Sequence, residues 1–121
     1  MSLTGNFPHH RLDAYRVALE LSIAVNDIAG RIPRGYRAIA DQVSRASYST
    51  VLLIGEGANR FGRGEKRHRF SLARGEVGEC AAALELLLVL QVVPEAELRH
   101  AHELADRVAA MLTKLIKRFG P

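Results

Sequence analysis

The stretch from Asp41 to Glu79, DQVSRASYSTVLLIGEGANRFGRGEKRHRFSLARGEVGE, decides the fold. In its first half Val43, Ala46, Thr50, Val51 and Ile54, with Ile39 just upstream, fall at helical spacing and can share one core-facing side. Gly55, Gly57, Gly62 and Gly64 then interrupt the pattern. Gly57 suits a left-handed helix cap, and Gly62 and Gly64 suit a flexible connection. The pattern resumes with Phe70, Ala73, Val77, Cys80, Ala81, Leu84, Leu87 and Leu88. The segment therefore reads as helix, glycine-rich turn, helix, with helices from about Tyr36 to Gly57 and from about Glu65 to Leu90. The hydroxyl and β-branched residues of Ser47–Val51 weaken the helix signal and leave room for a short strand, but no partner strand is visible.

Outward from this hairpin, a first helix is expected from about Arg11 to Ala29. Leu12, Tyr15, Leu19, Ser22, Ile23 and Asn26 lie along one face, and Val17, Leu21, Val25 and Ile28 widen the stripe. Gly30 and Pro33 stop it. Pro94 opens a fourth helix, with Glu95 and Glu97 near its positive end and Lys114, Lys117 and Arg118 near its negative end, each charge matching the helix dipole. Four helices with short connections predict an all-α, antiparallel up-down four-helix bundle. It occupies residues 9–121, behind an N-terminal leader over residues 1–8. Leu86, Val89, Leu90, Val92 and Val93 carry apolar character around the end of the third helix. A helix apolar on most sides needs burial on most sides, which points to self-association or to cover from the following loop.

Composition narrows the class. With 121 residues, 48% hydrophobic and 25% charged, the chain has enough apolar content for a folded core. Cys80 is the single cysteine, so an intrachain disulfide and a multi-cysteine zinc site are both excluded. The most apolar run, Ala81–Val93, is too short to span a bilayer and contains Glu85. The expectation is a cytoplasmic protein with no membrane partner.

The net charge of +4 is local. Between Arg60 and Arg74 stand six bases and one acid, Glu65, while the remainder holds eleven bases and twelve acids. A confined basic patch suits a polyanion, although a solvated helix start would look similar. Arg60, Arg63, Lys66, Arg67 and Arg69 are candidate phosphate contacts, and Phe61 could stack on a base. No base-reading motif accompanies them, so sequence-specific readout of RNA or DNA is not expected.

Other chemistries fit less well. GEGANRFGRG lacks the Gly-Lys-Ser/Thr ending of a phosphate loop and follows a helix, not a strand. Glu65 with His68 and Glu97 with His100 have the Glu-x-x-His spacing of di-iron bundles. Antiparallel helices would set those pairs about 35–40 Å apart, so no metal or cofactor site is expected. Ser49 has no nucleophile-elbow context. Cys80 lies on an apolar face without a local activating base. These absences make a non-enzymatic protein the leading reading.

Gln42, Arg45, Ser49 and Glu56 share one face of the second helix. A turn centred near Phe61 sets Arg45 beside Glu76 and Gln42 beside Glu79. The expectation is a buried or half-buried structural cluster of Gln42, Arg45, Glu76 and Glu79 that fixes register. A catalytic Arg–Glu role is the alternative.

In order, Gln42, Arg45-Ala46, Ser49, Ile54, Glu56-Gly57, Arg60, Ala73, Gly75 and Glu79 resemble the signature of the bacterial four-helix bundle family encoded in 23S ribosomal RNA intervening sequences. That family resembles the accessory variability proteins of diversity-generating retroelements. Phe7, Leu12, Tyr15, Ala18 and the Ile32-Pro33 turn are similar to the family's opening. Thr50, Leu53, Gly55 and Glu76 stand where the pattern has Ile, Asn, Ala and Ser. The resemblance implies an antiparallel bundle assembled into a ring-like homo-oligomer, commonly a pentamer. The retroelement relatives bind nucleic acid and a reverse transcriptase through basic ring surfaces, and the resemblance implies no enzymatic activity. The competing expectation is a homo-oligomeric scaffold that binds another protein and no nucleic acid.

Overall fold

The computed structural model describes residue 3 and residues 5–121. Positions 1, 2 and 4 of the expected leader lie outside the described residues. A 3-10 turn, Pro8–Arg11, precedes helix α1, Asp13–Ala29. A second, Arg34–Tyr36, follows Pro33 and leads into α2, Arg37–Asn59. Helix α3 spans Arg63–Val89 and α4 spans Glu95–Arg118. Ser47–Val51 is helical within α2. The local hydroxyls are accommodated there: Ser47 Oγ donates to Ser44 O and Thr50 Oγ1 to Ala46 O, at 2.9 and 2.7 Å. These bonds to the preceding turn allow both residues to be fully buried.

Helix α1 packs on α2 and α4, and α3 packs on the same two. Among the described residues, neither diagonal pair brings Cα atoms within 8 Å. This is an antiparallel up-down four-helix bundle. One end gathers the start of α1, the α2–α3 turn and the end of α4. The opposite end gathers the α1–α2 and α3–α4 connections.

The core runs along all four helices. Leu21 and Val25 of α1, Val43 and Ile54 of α2, Phe70, Val77, Leu84 and Leu87 of α3, and Val108 and Leu112 of α4 are fully buried. On α1 the expected stripe needs correction. The buried set is Ala14, Val17, Ala18, Leu21, Val25 and Ile28. Ile23 is 72% exposed, and Asn26 receives the Tyr48 hydroxyl on the outer flank against α2. Two apolar stripes overlap on this helix, and periodicity alone does not say which one faces the core. On α3, Leu88 is exposed beyond the buried stripe.

Helix α3 ends with Gln91 at φ 58°. Gln91 N–H bonds Leu88 O and Val92 N–H bonds Leu87 O, both at 3.0 Å. This paired closure satisfies carbonyls that the helix leaves open.

Gly57 is not a left-handed cap. It lies inside α2, and no described glycine has positive φ. A Cβ there would meet the Phe70 ring at 2.8 and 2.9 Å and Arg69 Cβ at 3.2 Å. The missing side chain lets α2 and α3 close on Phe70. Gly62 and Gly64 are likewise not a loose connection: Gly62 caps the start of α3 and Gly64 lies in its first turn. A Cβ at Gly55 would meet nothing within 4 Å. Gly57→Ala should therefore lower unfolding free energy by about 1–2 kcal/mol, overpacking outweighing the gain in helix propensity. Gly55→Ala should raise it by about 0.5–1 kcal/mol. Urea titration of both variants checks the opposite signs; a stabilised Gly57→Ala would sink the close-approach account.

Candidate nucleic-acid interface

The basic turn is partly used by the fold itself. Lys66 Nζ donates to Ala58 O at 2.9 Å and so closes the end of α2. Arg63 Nη2 donates to Arg118 O at 2.6 Å, and Arg67 Nη1 to Phe119 O at 3.1 Å. These three cations occupy the negative ends of α2 and α4, where cationic donors satisfy orphan carbonyls. Their charge persists, because a carbonyl neutralises nothing and each guanidinium keeps further N–H groups. Arg63, Lys66 and Arg118 also stand over the Phe119 ring at 5.4, 5.8 and 5.6 Å from its centroid, within cation–π range. Phe119 in turn lies 6.0 Å from Phe70, ring centre to ring centre. The core thus positions the basic surface directly.

Arg60 and Arg69 are held differently. Arg60 lies 3.9 Å from Glu65, and Arg69 Nε lies 3.2 Å from Glu56. Phe61, at the tip, is completely exposed.

The tertiary structure adds cations that the local reading did not include. Arg11, Lys114, Lys117 and Arg118 share this end. Arg11, Lys114 and Arg118 line a groove of about 440 Å³ whose other walls include Leu12, Met111 and Leu115. The basic last turn of α4 was the sequence signal, since an up-down bundle returns α4 to the α2–α3 turn. Asp13 is paired with Arg16, Glu65 with Arg60 and Glu56 with Arg69. Among the described residues, no carboxylate pairs with Arg11, Arg63, Lys66, Arg67, Lys114, Lys117 or Arg118. Asn59 Nδ2, 2.7 Å from Gly55 O, also lies 2.8 Å from His9 Nδ1 and ties the start of α1 to α2. Burial, and then His10, pushes the His9 pKa down and so disfavours its charged form.

A family model described as 23S rRNA-intervening sequence protein matches residues 10–114. The chain belongs to this family. A similar fold is seen in the crystal structure of a protein of unknown function from the S23 ribosomal protein family of Bacteroides thetaiotaomicron VPI-5482, solved at 1.70 Å. It is 17% identical, with 86% of this chain and 95% of that chain covered, at a TM-score of 0.79. At that identity the likeness shows the fold. No curated protein matches the chain.

Gln42, Arg45, Glu76 and Glu79 come together on the outer α2–α3 face. Arg45 donates to Glu76 at 2.7 Å, to Gln42 at 3.1 Å, and to Glu79. The Glu76 hydrogen bond, followed by that carboxylate's charge and by Glu79, raises the Arg45 pKa. The site is half-open, with the Arg45 side chain 48% exposed, because Arg45 projects from the flank of α2 and reaches sideways to α3. Arg45→Glu should lower Tm by a few degrees by crowding like charges, and Arg45→Glu/Glu79→Arg should recover most of the loss. Additive losses in thermal melts would refute a register-setting pair.

Cys80 is fully buried, and burial, then Glu79, pushes its thiol pKa up to about 12. That environment disfavours thiolate chemistry. Among the described residues, no group of three or more His, Cys, Asp or Glu is placed to hold a metal, and no helix is long and apolar enough to cross a membrane.

Proposed function

We propose that this chain is a cytoplasmic, non-enzymatic, homo-oligomeric nucleic-acid-binding or ribonucleoprotein accessory protein that uses no cofactor. The observation that carries the reading is the charge separation along the bundle. Among the described residues, seven cations without carboxylate partners collect around the α2–α3 turn and the α4 terminus, while at the other end Arg34 and Arg37 stand with Asp27, Asp41, Glu85, Glu95, Glu97 and Glu103. Arg63, Lys66 and Arg67 contact backbone phosphates beside Arg11, Lys114, Lys117 and Arg118. Phe61, Arg60 and Arg69 border that surface. Copies joined in a ring, with a pentamer as the expected assembly, repeat the patch so that weak contacts add by avidity. The family name favours RNA over DNA, and a reverse transcriptase is a protein partner consistent with such a surface.

Anisotropy of labelled RNA and DNA, with oligomer mass measured on the same sample, tests this directly. Affinity should fall steeply between low and physiological salt, with little sequence preference. Absence of binding at low salt removes nucleic acid from the function. A protein-binding scaffold is the second reading, favoured by Ile23, Tyr48 and Leu52, which are 72, 47 and 67% exposed on the α1–α2 flank.

A further inference from the structure

The tip of the α2–α3 turn and a groove near the other end of the bundle have complementary chemistry. Phe61 is 100% exposed. It stands between Arg60 and Arg63, and the Arg60–Glu65 contact is a loose 3.9 Å. The groove lies between the last turns of α3 and the first turns of α4. Its apolar wall is the exposed Leu88 over the buried Leu84 and Leu98, and Glu85, Glu95 and Glu103 contribute carboxylates. Its volume is about 440 Å³. Glu95 is held by Arg99 and Glu85 by His102, both at 2.8 Å. That leaves three carboxylates facing one guanidinium and one imidazole. Leu86, Val89 and Leu90 extend the exposed apolar surface along the same end of α3.

Within one chain the two features cannot meet. Helix α3 has 27 residues, which separates its ends by about 40 Å. A second copy supplies the missing half of each.

We propose that Phe61 of one copy seats in the Leu84–Leu88–Leu98 groove of the next, with Arg60 meeting the carboxylates around it. The proposal rests on the self-association reading and names the two surfaces responsible. An aromatic anchor in an apolar depression provides the central contact, and the opposite charges set its direction. The contact is heterologous: each copy offers a tip and a groove. It repeats until a ring closes or a filament grows. It also moves Phe61 from base stacking to protein contact, while Arg63, Arg67, Lys114, Lys117 and Arg118 remain outside the contact for a polyanion.

Sedimentation velocity of the full chain, Phe61→Ser, Leu88→Glu and their equimolar mixture tests this. Both substituted side chains are exposed, and circular dichroism verifies folding. Each variant alone should lose self-association by at least about 30-fold, the scale of removing a central anchor. The mixture should recover one contact per pair, because Phe61→Ser keeps its groove and Leu88→Glu keeps its tip. Raised salt should weaken the wild-type contact. Variants that retain wild-type mass overturn these surfaces while the self-association reading stands. Variants that lose mass without recovery on mixing also overturn the pairing. A wild-type chain that is monomeric across the concentration series overturns both proposals.

Discussion

Phe70→Ala is expected to lower the unfolding free energy by about 3–5 kcal/mol, the cost of deleting a buried aromatic ring. Phe70 is the largest of the fully buried side chains, with 1% exposure. It fills the space left by the absent side chain of Gly57 and lies beside Phe119. Removing it takes support from α2, α3 and the α4 terminus together. For a chain of this length the loss corresponds to a fall in Tm of roughly 10–25 °C. Phe70→Leu retains much of the apolar volume and should cost less. Urea unfolding of the three proteins gives the comparison. A Phe70→Ala loss below about 1 kcal/mol would mean that the site collapses without a cavity and does not anchor the basic end.

Lys114→Glu/Lys117→Glu should reduce RNA affinity by about 100-fold at low salt and make the slope of log affinity against log salt shallower by about two. Both side chains are exposed and have no carboxylate partner in the described structure. Their reversal therefore probes charge with the Phe70–Phe119 contact left in place. Arg63 and Arg67 are less clean probes, since each also closes α4 through a backbone carbonyl. Reversing those two would remove caps along with phosphate contacts. The measurement is anisotropy across a salt series, with a thermal melt of each variant. Unchanged affinity and slope in a folded Lys114→Glu/Lys117→Glu protein would remove the α4 terminus from the interface.

The relation between sequence and structure differs from element to element. Helical spacing in the second and third helices placed Val43, Ala46, Thr50 and Ile54, and Phe70, Ala73, Val77, Cys80, Leu84 and Leu87, on the buried faces, although Leu88 of the same third-helix stripe is exposed. Leu98, Ala101, Ala105, Val108 and Leu112 are buried along α4. On α1 the periodicity was ambiguous. Leu12, Leu19 and Ile23 make as good a helical stripe as Val17, Leu21 and Val25, and packing between α2 and α4 selects the second. Gly57 illustrates a different limit. Glycine is favoured both at left-handed caps and where backbones approach closely, and the Phe70 ring across the turn distinguishes the two.

The candidate interface was legible where its residues are consecutive. Arg60–Arg69 is visible as a local excess of charge, but its extension through Arg11, Lys114, Lys117 and Arg118 requires knowing which chain ends meet. The amino-acid sequence alone determined four helices, their approximate limits and the up-down order, because periodicity, glycine and proline act over a few residues. Only the tertiary structure decided that Lys66, Arg63 and Arg67 close two helix ends, that Gly57 admits Phe70, and that an acidic-rimmed groove lies far from an exposed Phe61. Those properties arise from contacts between residues distant in the chain, and their energies depend on distance and burial, which local spacing does not encode.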